Sequence, residues 1–160
     1  MAGDAGHWLN VAAGQINSGD YGGAWTSSMA AVQAEPGTSQ AWLGLGMTAL
    51  LRRDWDAAVR LADRRQQLAG DGFAFFHDVL TVMMTYGLGP LVEQMGAALA
   101  ADSPYLPSQL YYAGCARLLA DDEDGAFVHF NRLKPLLAAR RDSLPSGADD
   151  RFYIAWRPAT

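Results

Sequence analysis

A frame of aromatic, small and turn-forming residues recurs in this chain at intervals of 34 residues. Trp8 is matched by Trp42, and the next interval reaches Phe76. Other members of the frame are Tyr21 and Trp55; Ala24, Ala58 and Ala126; Pro36, Gly70 and Pro104; and Gly46 and Gly114. A fixed period of this length indicates stacked copies of one small unit, because a single copy cannot bury its apolar side alone.

The second copy, residues 39–71, indicates what one unit is. Apolar residues recur at helical spacing over 41–50, and the polar run 52–54 then interrupts them. Asp54 can accept the free amide hydrogens of a second helix, and Gly70 can end that helix. The unit is therefore predicted to be a pair of helices.

Two small residues bear on how this pair packs. Gly46 on the first helix and Ala58 on the second lie where antiparallel helices would cross, so we expect the backbones to approach closely there. Similar patterns, with caps at Asp20 and Asp122, predict the remaining helices. Their expected ranges are about 7–17, 22–34, 73–86, 90–101, 107–120 and 125–141.

The chain resembles the tetratricopeptide-repeat (TPR) family, whose 34-residue pattern is W-x2-L-G-x2-Y, then A-x3-F, then P. Trp42, Leu45 and Gly46 match the first part, and Ala126 and Phe130 match the second. The resemblance covers roughly residues 5–140. It implies an all-α fold, namely a right-handed superhelical array of antiparallel helix pairs, or TPR-like α-solenoid.

Four such units are expected, over about 5–38, 39–72, 73–106 and 107–141. The third departs most from the pattern, because Leu80 replaces a small residue and 87–90, Gly-Leu-Gly-Pro, replaces a polar turn. Residues 142–160 are predicted to form a linker and an apolar C-terminal tail. Since repeat arrays need their last face covered, we expect residues 152–156 to fold onto the fourth unit or into the groove. The alternative is that they lead into a further domain.

Composition excludes several classes of function. The chain has 160 residues and a net charge of −5, with a pI of about 5.0, which argues against binding to nucleic acid or anionic membranes. No apolar run is long enough to predict a membrane span. The single Cys115 and the absence of a leader predict a reducing, cytoplasmic setting.

Catalytic and metal-binding patterns were not found. His7, His77 and His129 fall in different units, and Cys115 has no neighbour at metal-ligand spacing. The acidic run 121–124 lacks the spacing of a calcium loop and is read as a turn. The sequence therefore predicts a protein that is not an enzyme and has no cofactor and no metal.

In TPR arrays the first helices of successive units line a concave groove that binds a peptide, and the resemblance implies such a groove here. The corresponding positions are Leu9, Ala13 and Ile16; Leu43, Met47 and Leu50; His77, Thr81 and Met84; and Tyr111, Cys115 and Leu118. Family members that clamp a carboxylate carry cations at these positions. This chain has none there, so the predicted partner is instead an apolar peptide or an amphipathic helix. About half of these residues are expected to be core, since large apolar side chains are usually buried.

Three functions remain open at this stage. The favoured one is a protein-interaction scaffold of chaperone type, similar in length and repeat type to the small acidic chaperones of bacterial secretion systems. A second is a homodimerisation module. A third is the N-terminal repeat region of a larger enzyme, such as a glycosyltransferase.

Overall fold

The computed structural model describes residues 4–143, and the side chains of residues 4–139. Eight α-helices make up this part of the chain. They are α1 (Ala5–Asn17), α2 (Tyr21–Ala34), α3 (Ser39–Leu51), α4 (Trp55–Ala69), α5 (Gly72–Thr85), α6 (Gly89–Met95), α7 (Leu106–Leu119) and α8 (Glu123–Ser143), with a 3-10 turn at Gly96–Ala98. The all-α prediction is confirmed, since residues 4–143 contain no β-strand. Of the predicted linker and tail, residues 144–160 lie outside the described residues.

Four loops, which join α1 to α2, α3 to α4, α5 to α6 and α7 to α8, share one backbone shape. A positive φ occurs at Gly19, Arg53, Gly87 and Asp121, each 34 residues after the last. In every one of these loops the next amide donates to the carbonyl five residues earlier, at 2.8–2.9 Å. This closure is typical of a left-handed residue after a helix. The 34-residue interval seen in the sequence is thus also present in the backbone conformation of the loops.

Three of these loops also cap the helix that follows. The carboxylates of Asp20, Asp54 and Asp122 accept hydrogen bonds from the amides three residues later, at 2.9, 3.1 and 2.9 Å. All three predicted caps are therefore confirmed. The loop before α6 has Leu88 at this position, which offers no side-chain acceptor, and Pro90 lies in the first turn.

Each helix packs against its neighbours in sequence, and some helices also contact the helix two positions along the chain. Each odd-numbered helix contacts the next odd-numbered one, so α1 contacts α3, α3 contacts α5 and α5 contacts α7. A single core extends from Ala5 on α1 to Tyr105 just before α7, with Phe76, Leu80 and Met83 of α5 fully buried. A smaller cluster, Leu106, Leu110 and Leu133, joins α7 to α8.

Gly46 has a different packing role from the one predicted. A Cβ atom there would lie 2.5 Å from Cγ2 of Val79 and 3.1 Å from Cζ of Phe75, and both of these residues are on α5. Ala58 on α4 is buried but is not among its nearest neighbours. The glycine therefore allows close contact between α3 and α5.

Helix α6 is shorter than predicted. The buried side chain of Gln109 on α7 donates through Nε2 to the carbonyl oxygens of Val92, at 3.0 Å, and Glu93, at 3.4 Å. An α-helix would use the Val92 carbonyl to accept from residue 96. The amide of Gly96 instead bonds to nearer carbonyls and the chain tightens into the 3-10 turn.

Candidate functional site

A cleft of about 590 Å³ opens between α1 and α3. Its walls come from one face of each helix, with additions from α2 and from the α5–α6 loop. The lining residues, called the cleft from here on, are Leu9, Ala12, Ala13, Ile16, Asn17, Tyr21, Ser28, Gly44, Met47, Leu51, Tyr86 and Leu88.

The sequence of α1 and α3 explains why this space is open. The lining residues of α1 and α3 recur three or four positions apart, which puts each set on one face of its helix. On this face of α1, Ala12 and Ala13 are small, and on α3 Gly44 has no side chain at all. A Cβ atom at Gly44 would lie 3.3 Å from both Cδ2 of Leu9 and Oγ of Ser28. Small residues on α1 therefore leave the cleft unfilled, whereas Gly44 lets α3 approach Leu9 and Ser28 closely.

The cleft is apolar and carries no charged side chain in its lining. Its polar groups are Asn17, Tyr21, Ser28 and Tyr86. The Ser28 side chain is fully buried, and its hydroxyl has no hydrogen-bond partner among the described residues. An uncharged apolar cleft favours burial of apolar groups over binding of ions or highly charged ligands.

Four of the predicted groove residues lie together in the cleft, namely Leu9, Ala13, Ile16 and Met47. Leu50 does not line any surface, because its side chain is 0% exposed and belongs to the core. The assignment of Leu50 to a groove is therefore wrong. Its place on α3 is taken by Leu51, which lies on the same helix face as Gly44 and Met47 at spacings of three and four residues. That spacing was a signal available in the sequence.

Two of the predicted residues of α5, His77 and Thr81, lie at a different and more polar junction. Tyr112 on α7 reaches across to α5, where its hydroxyl lies 2.7 Å from Oγ1 of Thr81 and 3.2 Å from Nδ1 of His77. Burial is the main cause that raises the pKa of Tyr112. The α5–α7 junction is thus joined by hydrogen bonds between side chains.

Tyr111 and Cys115, two of the predicted groove residues of α7, adjoin this junction, since the Tyr111 and Tyr112 ring centroids are 5.0 Å apart. The Tyr111 ring packs toward Phe130 of α8, with the ring centroids 6.4 Å apart. Burial, helped by a hydrogen bond with Cys115, raises the pKa of Tyr111 to about 12. Burial also raises the pKa of the Cys115 thiol, so the thiol is held in its less reactive protonated form.

The other three predicted residues are scattered. Leu43 is half-buried and lines a small crevice of about 50 Å³ beside α5. Met84 is half-buried against the core, and Leu118 is 48% exposed. Among the described residues, the cleft brings four of the predicted groove residues together, and the α5–α7 junction brings His77 and Thr81 together beside Tyr112.

A cluster of polar side chains lies among the last three helices of the described chain, α6, α7 and α8. Glu93 on α6 accepts from Nε of Arg117 at 2.8 Å and lies 3.3 Å from Nε2 of His129, while Nη1 of Arg117 donates to Asp122 at 2.9 Å. Burial alone would raise the pKa of Glu93, but hydrogen bonds from Arg117 and His129 outweigh it and lower that pKa. The cluster ties α6, α7 and α8 together.

Two further classes of site are not seen in the part of the chain that the structure describes. No group of three or more His, Cys, Asp or Glu side chains there is placed to hold a metal ion. No helix within residues 4–143 has the length and hydropathy needed to cross a bilayer.

The sequence matches no protein-family model and no curated protein.

Proposed function

We propose that this chain is a TPR-like scaffold, a right-handed array of antiparallel helix pairs, which binds the apolar face of a partner's amphipathic helix in the cleft. The repeated loops, 34 residues apart, and the contacts between successive odd-numbered helices support the array. Both features are what stacked helix pairs of one kind require.

The observation that carries the binding proposal is the cleft itself. Along α1 it extends from Leu9 to Asn17, a rise of about 12 Å or two helical turns. A bound helix of that length presents two or three large side chains on one face, spaced three or four residues apart. Because the cleft lining is uncharged, Leu, Met or Phe side chains suit it better than charged ones.

The test uses a fluorescein-labelled synthetic peptide of about 16 residues, with Leu at every third or fourth position and Ala and Gln elsewhere. We expect saturable binding, measured by fluorescence anisotropy. Met47→Glu should weaken peptide binding at least about tenfold, because the bound peptide would bury the unpaired carboxylate that the substitution introduces. Ala13→Trp, which fills the cleft from an exposed position of α1, should weaken it similarly.

The matched control is Leu68→Glu. Leu68 lies on α4, is 55% exposed and is not part of the cleft, so peptide affinity should be unchanged. Circular dichroism and urea unfolding would establish that each variant is folded. Equal affinity for wild type, Met47→Glu and Ala13→Trp would contradict the proposal.

A second candidate, self-association, is favoured by a separate observation. Exposed large apolar residues concentrate where α7 meets α8: Leu118 is 48% exposed, Leu119 78%, Phe127 62% and Val128 60%. Such a concentration is typical of an interaction surface. Light scattering would show a dimer that Phe127→Glu converts to a monomer, whereas a wild-type monomer would exclude this candidate.

A further inference from the structure

One hydroxyl in the lining of the cleft is buried without a partner. Ser28 on α2 is 0% exposed, and its Oγ forms no hydrogen bond with any described residue. Two other buried hydroxyls of α2 and α3 are paired, since Ser27 donates to Oε1 of Gln15 and Thr48 donates to the carbonyl of Gly44, both at 2.7 Å. A buried hydroxyl without a partner loses its hydrogen bonds to water and gains none in return. Ser28 therefore carries an unused hydrogen-bonding group.

This hydroxyl is directed to the cleft and not back along its own helix. A hydroxyl within a helix can donate to the carbonyl four residues earlier, as Thr26 does to Gly22 on the same helix at 3.3 Å. Oγ of Ser28 instead lies 3.3 Å from the point where a Cβ atom of Gly44 would be, and Cδ2 of Leu9 lies 3.3 Å from the same point. Gly44 and Leu9 both line the cleft, so the unpaired hydroxyl belongs to its floor.

A bound side chain would find one polar group at this floor. Because Ser28 is fully buried, a lining side chain must rotate before a ligand atom can reach the hydroxyl, and Leu9 is a flexible, half-buried neighbour that can do so. The other polar residues of the lining are different. Asn17 and Tyr86 are exposed and Tyr21 is half-buried, so water can satisfy them. The floor thus offers one hydrogen bond within apolar surroundings.

That arrangement restricts which side chain of a partner helix fits. A Lys, Arg or Glu side chain would bury a charge against an uncharged lining. A Gln amide has several donor and acceptor sites for a floor that offers a single hydroxyl, and a Trp indole can only donate. A Tyr side chain combines a large apolar ring with one hydroxyl at its tip, which can both donate to and accept from a serine hydroxyl.

We propose that Ser28 selects a partner helix whose anchor in the cleft is a tyrosine. The ring of this tyrosine packs among the apolar lining, and its phenol hydroxyl forms a hydrogen bond with Oγ of Ser28. This inference rests on the proposed function and adds the anchor side chain of the partner and the residue that recognises it.

The test uses three versions of the labelled peptide described above. One keeps Leu at the central position of the apolar stripe, and the other two have Tyr or Phe there, so that the Tyr and Phe peptides differ by one hydroxyl. Wild-type protein should bind the Tyr peptide about threefold to tenfold more tightly than the Phe peptide, which is the range for a net hydrogen bond. Fluorescence anisotropy measures all three affinities.

Ser28→Ala is the decisive variant, because it removes only the hydroxyl. It should abolish or reverse the preference for Tyr, since the phenol hydroxyl would then be buried without a partner. Ser27→Ala is the matched control. It removes the hydroxyl of the adjacent residue, which is paired with Gln15 and is not part of the cleft lining, and it should leave the preference unchanged.

The same two variants should also differ without peptide. Ser27→Ala should lower the urea unfolding midpoint because it leaves the Gln15 side chain without its partner, whereas Ser28→Ala should not lower it because no hydrogen bond is lost. An equal loss of stability in both variants would overturn the inference, since the Ser28 hydroxyl would then already be paired in the free protein.

The binding outcomes separate this inference from the proposed function. If none of the three peptides binds, both fail. If the Leu peptide binds but wild-type protein does not prefer Tyr over Phe, or if Ser28→Ala keeps that preference, the cleft remains a helix-binding site and the role of Ser28 is overturned.

Discussion

Two junctions on either side of α3 show how the same backbone arrangement produces a closed contact and an open one. On one side, α5 brings Phe75 and Val79 against Gly46, and no space remains. On the other side, Ala12 and Ala13 of α1 line the cleft, which remains open between α1 and α3. The loops repeat, but the size of the side chains on the facing helix decides whether a cleft remains at the junction.

The largest expected effect tests this contrast with one substitution on each side. Gly46→Ala should destabilise the protein by about 1–2 kcal/mol, since overpacking against Val79 outweighs the gain in helix propensity. Gly44→Ala should change stability by less than about 0.5 kcal/mol, because its Cβ would meet its neighbours at 3.3 Å and the propensity gain offsets this. Urea unfolding midpoints measure both. A larger loss for Gly44→Ala would break the comparison.

The second prediction contrasts the apolar junctions with the polar end formed by α6, α7 and α8. Since the pKa of Glu93 is lowered, its contribution is present above the unfolded pKa of about 4.3 and is lost as the pH falls through the folded value. Glu93→Gln should therefore cost about 1–2 kcal/mol at neutral pH, with the larger hydrogen-bond values discounted because Arg117 is partly exposed.

That cost should shrink at a pH below the lowered folded-state pKa of Glu93, where its carboxyl is protonated in the wild type as well. Unfolding curves at both pH values provide the measurement. Asp102→Asn, which removes an exposed carboxylate of the α6–α7 loop, is the control and should be nearly neutral at either pH. A cost that does not depend on pH would show that Glu93 contributes through packing rather than charge.

The sequence was sufficient for features set by local chemistry and insufficient for those set by the neighbouring helix. Asp20, Asp54 and Asp122 were recognised as caps because a cap needs only its own next turn. Leu50 was placed in a groove although it is buried, because periodicity does not say which neighbour covers a helix face.

The same limit explains the differences at α6 and α7. The end of α6 depends on Gln109, a residue in the next helix that takes the Val92 carbonyl. On α7 a strict 34-residue shift from His77 gives Tyr111, whereas Tyr112 is the residue that contacts His77. The 34-residue period does not specify which side chains meet across a helix junction, so only the packing reveals this contact.

The smallest effects concern the repeated loops. These loops share one backbone shape, so they should behave alike on both sides of α3. Gly87→Ala should destabilise by about 1 kcal/mol through its positive φ alone, since no atom lies within 4 Å of the added Cβ.

Arg53→Gly should stabilise by a few tenths of a kcal/mol to about 1, because relief of the same strain exceeds the added entropy of the unfolded chain. Gly37→Ala is the matched control, as its Cβ also meets no atom within 4 Å but its φ is not in the left-handed region, and it should be neutral or slightly stabilising. Opposite signs at residues 53 and 87 in thermal unfolding would show that the loops follow one rule throughout. The difference between the closed junction and the cleft then lies in the side chains between the helices.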